Sequence, residues 1–105
     1  MVYNLIITER ANELLDSCVN YMIYKLLNRQ AAKHFLDEIE KIYVRLEDNP
    51  FQFSDSKDPY LKSKGYREAI IPEMDYKLIF RIDEKSVYVV GIFHDLEDYG
   101  VKVIE

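Results

Sequence analysis

The last third of the chain contains Tyr76-Lys77-Leu78-Ile79-Phe80-Arg81-Ile82, then Asp83-Glu84-Lys85-Ser86, then Val87-Tyr88-Val89-Val90-Gly91-Ile92-Phe93. The flanking runs are rich in β-branched and aromatic residues, and the polar tetrapeptide between them is a turn. Together they predict an antiparallel hairpin. Four turn residues pair Ile82 with Val87, and side chains alternate between faces with period two. Leu78, Phe80 and Ile82 then share a face with Val87, Val89, Gly91 and Phe93, which is the candidate core face. Residues 66–71 read as a third strand, closed by Pro72 and joined to the hairpin through Glu73-Met74-Asp75. A three-residue turn there pairs Pro72 with Tyr76 and adds Tyr66 and Ile70 to the core side. It also puts Glu68 on that side, where a carboxylate needs a partner or a wet edge.

The opposite face collects Arg67, Ala69 and Ile71 from the first of these strands. Lys77, Ile79 and Arg81 come from the second, and Tyr88, Val90, Ile92 and His94 from the third. On this reading three cations and a histidine converge on one side of the sheet.

Working back towards the N-terminus, the period changes. Residues 2–7 form a short strand, and Thr8 is a helix N-cap with Glu9 in the first turn. Apolar residues then fall at Ala11, Leu14, Leu15, Cys18, Val19, Met22, Ile23, Leu26 and Leu27, the stripe of an amphipathic helix. Asn28 ends that helix and caps the next, whose stripe is Ala32, Phe35, Ile39, Ile42 and Leu46, widened by Leu36 and Tyr43. The second helix stops at Asp48-Asn49-Pro50, because a residue before proline is pushed out of the helical region. Residues 50–64 carry turn formers and read as a loop. The order strand, helix, helix and three hairpin-linked strands predicts an α+β fold, with the helical hairpin packed on one face of the sheet.

At 105 residues the chain has the size of one domain. It is 49% hydrophobic and 31% charged, with three glycines and three prolines, which excludes disordered and collagenous classes. No apolar run reaches the roughly 20 residues that span a bilayer. The N-terminal stretch lacks the basic start and small-residue cleavage site of a secretory signal, so the expected location is cytoplasmic. The single cysteine, Cys18, cannot form an internal disulfide, has no second cysteine to share a metal site with, and sits on the apolar stripe. A net charge of −5 argues against a broad phosphate-binding surface, since neutralising several phosphates dominates such binding. Only residues 57–85 carry a basic excess.

Several short pieces resemble the RelE/ParE superfamily of bacterial toxins from type II toxin–antitoxin pairs. They are Ala11 and Leu14-Leu15, Ala31-Ala32 and Phe35-Leu36, then Leu46 with Asn49-Pro50. Gly65-Tyr66-Arg67, Tyr76 to Asp83, Val89 to His94 and Asp98 complete the resemblance, which extends over about the whole chain. It implies a toxin that inhibits growth and is silenced by a cognate antitoxin. Two activities are implied, in different classes. RelE-like members cleave ribosome-bound messenger RNA without a metal, whereas ParE-like members bind DNA gyrase and carry no nuclease constellation; a relative that has lost toxicity is the remaining alternative. Neither implies a cofactor.

Metal-free RNA cleavage uses the ribose 2′-hydroxyl as nucleophile and needs a base, an acid and cations on the phosphate. The candidate site residues are Arg67, Lys77, Arg81 and His94: Arg67 and Lys77 to grip phosphate, Arg81 to assist and His94 to exchange the proton. Each has a structural alternative as an ordinary strand side chain. Lys77 stands where the ribonucleases usually carry arginine, and an ammonium lacks the bidentate fork. Asp95, Glu97 and Asp98 crowd His94 and would repel an approaching phosphate, and Tyr99 either stacks on a base or covers the sheet edge. The wording Gly-Tyr-Arg followed by Tyr-Lys-Leu-Ile-Phe-Arg-Ile-Asp is closer to the ParE-like style.

Overall fold

The computed structural model describes residues 2–94. The elements are β1 (Asn4–Ile7), α1 (Glu9–Asn20), α2 (Arg29–Asp48), α3 (Pro59–Ser63), β2 (Arg67–Ile71), β3 (Tyr76–Asp83) and β4 (Ser86–His94). The four strands form one sheet in the order β1-β4-β3-β2. β2, β3 and β4 make the expected antiparallel meander, while β1 joins β4 in parallel with Leu5 opposite Val87 and Ile7 opposite Val89. The sheet is therefore mixed. Parallel neighbours need a long crossover, and the helical hairpin is part of it.

α2 folds as its spacing dictates. The Asn28 side chain accepts from the Ala31 N–H at 3.0 Å and caps the helix. Ala32, Phe35, Ile39, Ile42 and Leu46 are all buried, against Leu78, Phe80, Val87, Val89 and Ile92 of the sheet. The first helix departs from its stripe. Thr8 caps it as expected, accepting from Ala11 N–H, but after Asn20 the chain widens into a π-helical turn, Tyr21–Lys25. Leu27 then adopts φ 51°, a left-handed conformation that ends the helix where glycine is usual. The wider turn rotates the stripe away from the core, so Leu26 and Leu27 are 55% and 82% exposed instead of buried.

The stretch read as a loop contains the helix α3. Asp58 accepts from Leu61 N–H at 3.0 Å and Pro59 opens the first turn, a local signal that was present in the sequence. Leu61 from this helix packs with Ile79, Val90 and Phe93 on the sheet face away from α2, making a second small core.

Tyr43 on α2 lies against the main core with its hydroxyl buried and without a hydrogen-bond partner. Burial pushes its phenol up to about 12 from an ordinary value of 10.0. The folded state thus keeps a proton that the unfolded chain loses first, so stability is intact below pH 10 and falls as pH rises towards 12. Tyr43→Phe removes the unpaired hydroxyl and is expected to stabilise the fold by about 1 kcal/mol. It should also flatten the alkaline loss. Urea unfolding at neutral and alkaline pH measures both effects.

Candidate functional site

Two shifts of one residue decide where the candidate side chains lie. In β2, Ile71 and not Pro72 pairs with Tyr76, so the turn Pro72–Asp75 has four residues and Glu73 takes φ 65° within it. This turns Ala69 and Ile71 to the α2 side, where both are buried, and leaves Ile70 55% exposed. In β4, Ile82 pairs with Val87 as expected, but Phe80 faces Val89 while Ile79 faces Gly91. Val90 is the extra residue of a β-bulge. Beyond it every β4 side chain changes sides: Ile92 packs with the main core, Phe93 with Ile79 and Leu61, and His94 comes opposite Tyr76. Gly91 permits this because a Cβ there would overlap the Phe93 ring, with Cζ only 2.6 Å away.

The expected convergence of Arg67, Lys77, Arg81 and His94 is therefore corrected. Arg67 lies on the α2 side, opposite Phe80, and holds the preceding loop. Its Nη1 donates to the Phe53 carbonyl at 2.7 Å, its Nη2 stands 3.8 Å from Asp55 Oδ1, and its guanidinium lies 5.1 Å from the Phe51 ring centre. His94 is also on the α2 side, four β3 positions away, with its ring edge-on to Tyr76 at 5.2 Å. Tyr76 in turn contacts Phe35 of α2, also at 5.2 Å.

Lys77 and Arg81 are on the other face. Arg81 stacks on its cross-strand partner Tyr88, 4.2 Å from the ring centre. Lys77 is buried, with Nζ 3.5 Å from Glu68 Oε2. Glu68 Oε1 accepts from the Lys57 N–H at 3.0 Å. The carboxylate expected on the core side is thus on the opposite side, sealed under residues 54–57, which run alongside β2 through Ser56 N–H to Tyr66 O and Glu68 N–H to Ser54 O. Asp95, Glu97, Asp98 and Tyr99 lie outside the described residues.

One concavity was missed by the sequence reading. It is a groove of about 670 Å³ between α1 with its π turn on one side and the β2–β3 turn with the end of β4 on the other. Leu14, Cys18, Met22, Met74, Tyr76 and Ile92 line it, with Glu73 and Asp75 as its charged residues and His94 at the strand end. Leu14, Cys18 and Met22 were read as core positions, and the first two are only partly buried because α1 leaves this side uncovered. A methionine-rich apolar lining is adaptable, since the thioether side chain has several rotatable bonds.

The fold is shared with a chain from the chromosomal ParDE toxin–antitoxin system of P. aeruginosa, at a TM-score of 0.70 and 19% identity over 89% of this chain and 96% of that one. No curated protein matches the chain in sequence. Residues 5–99 match the family described as the ParE toxin of the type II toxin–antitoxin system parDE. The strand–helix–helix–meander order and the match over nearly the whole length agree: the chain belongs to the ParE toxin family, the toxin component of a type II toxin–antitoxin system.

Proposed function

We propose that this toxin arrests growth by binding a protein target, DNA gyrase, and not by cleaving RNA, and that a cognate antitoxin silences it by direct contact. The observation that carries this reading is the division of the four polar candidates between the two faces of the sheet. A phosphodiester in reaction needs its donors about 2.7–3.1 Å from the atoms that gain charge. Arg67 and His94 cannot serve one phosphate together with Lys77 and Arg81 when the sheet lies between them. Arg67 and Lys77, assigned to the phosphate, instead hold a loop carbonyl and a buried carboxylate.

Induced expression with pulse-labelling tests the proposal. DNA synthesis is expected to fall first while protein synthesis continues and messenger stays intact, and the purified toxin should inhibit supercoiling by gyrase. Co-expression of the antitoxin should restore growth. Prompt loss of translation with cleaved messenger would establish the ribonuclease reading instead.

A further inference from the structure

We infer that the exposed face of α1 pairs antiparallel with the same face of a second copy of the chain, the acidic half of each helix meeting the basic half of the other. Three observations carry this, and none depends on the identity of the toxin's target.

The first is apolar surface. Tyr21 and Tyr24 are 51% and 72% exposed, and with Leu26 and Leu27 they form a run of four large apolar side chains turned to solvent. Single exposed apolar residues are ordinary, but a contiguous group marks a surface that a partner covers. The second is the division of charge along the helix. Glu9, Glu13, Asp16 and Asn20 recur at helical spacing on the side away from buried Ala11, and all four are exposed. After Asp16 the next acidic residue is Asp37, and the segment 17–36 carries Lys25, Arg29 and Lys33. Among the described residues Glu9, Glu13, Asp16, Lys25 and Arg29 form no ion pair, although Lys33 and Lys41 find partners on α2.

The third is symmetry. A two-fold axis makes an isologous contact, in which every pair of residues occurs twice. An axis level with Val19 sets Glu13 of one copy against Lys25 of the other, and the same axis brings Glu9 towards Arg29 at the start of α2. Residues beside the axis approach their own counterparts, where like charges would repel. The exposed positions nearest to it, Ser17 and Asn20, are uncharged. Tyr21 and Tyr24 lie between the axis and Lys25, so the same contact covers them. An acidic protein or an anionic lipid surface would suit the basic end and repel the acidic one, whereas a second copy suits both.

The test is sedimentation of the toxin chain, separated from its antitoxin, over a range of concentrations at low and moderate salt. Glu9→Lys/Glu13→Lys makes the face basic throughout, and Lys25→Glu/Arg29→Glu makes it acidic throughout. The native chain is expected to form a dimer that weakens as salt rises. Each variant alone should dimerise about 100-fold more weakly, because like charges then oppose each other. An equimolar mixture of the two should recover a mixed dimer, since a basic face then meets an acidic one. Tyr24→Ser should weaken the native dimer about tenfold while leaving its salt dependence unchanged. The substituted positions are exposed, so thermal melts should stay close to that of the native chain.

A native chain that is monomeric at every concentration would overturn the inference. If that monomer bound vesicles of phosphatidylglycerol, the basic end would belong to a membrane surface instead. A dimer that survives both reversals would place the contact on another face. A mixture of folded variants that stays monomeric would overturn the antiparallel pairing of charges.

Discussion

Replacing Lys77 by methionine is expected to cost the fold about 3–5 kcal/mol, because it leaves the Glu68 carboxylate buried without its counter-charge. The Glu68 side chain is wholly shielded from solvent and that of Lys77 is 10% exposed, so water cannot replace the missing partner. For a domain whose whole stability is about 5–15 kcal/mol, such a loss approaches unfolding. The double variant Lys77→Met/Glu68→Gln should recover most of it. The amide oxygen still accepts from Lys57 N–H, and no charge remains to be compensated. Urea unfolding of the two single variants and the double variant measures the coupling. A Lys77→Met chain as stable as the native one would show that the ammonium contributes nothing to folding, which is what a side chain reserved for phosphate would give.

Phe35→Ala is the second large effect, about 3–5 kcal/mol for a fully buried aromatic ring truncated to a methyl group. The cost is not confined to the core. Phe35 meets Tyr76 edge-on, and Tyr76 meets His94 in the same way, so the ring sequence runs from α2 across β3 to the end of β4. Tyr76 and His94 both line the groove. Removing the first ring therefore loosens one wall of that groove. Phe35→Leu keeps most of the volume and is expected to cost about 1.5 kcal/mol or less. Thermal melts rank the two variants.

The parts of the fold that were legible in the sequence rest on repetition. Ala32, Phe35, Ile39, Ile42 and Leu46 recur at helical spacing over four turns, and all five are buried. A single misplaced residue hardly alters such a signal. The Ile82–Val87 pairing was legible for another reason: it depends only on the length of one polar turn. The candidate site depended on strand facing, which has period two, so an error of one residue inverts it. The β2–β3 turn has four residues instead of three, and β4 carries a bulge. Each shift sent one of the expected residues, Arg67 and His94, to the far side. The bulge left a cue in Gly91, a glycine inside an otherwise β-branched and aromatic run, where a close approach or an extra residue is the usual cause. The groove left none. It lies between α1 with its π segment and the β2–β3 turn, and a position on an apolar stripe does not say whether a neighbouring element covers it.

Val90 and Gly91 together make β4 a strand in which length and facing are uncoupled at one joint. Both residues lie on the face away from α2, and they share a single opposite number, Ile79. A chain without Val90 would run straight through this point with Ile92, Phe93 and His94 still facing as they do now. A deletion elsewhere in β4 would turn every later side chain over, exposing Ile92 and driving Phe93 into α2. Length variation among relatives of this chain should therefore be tolerated at 90–91 and rejected on either side. The outer core gains one valine from the insertion, and the remainder of the strand is indifferent to it.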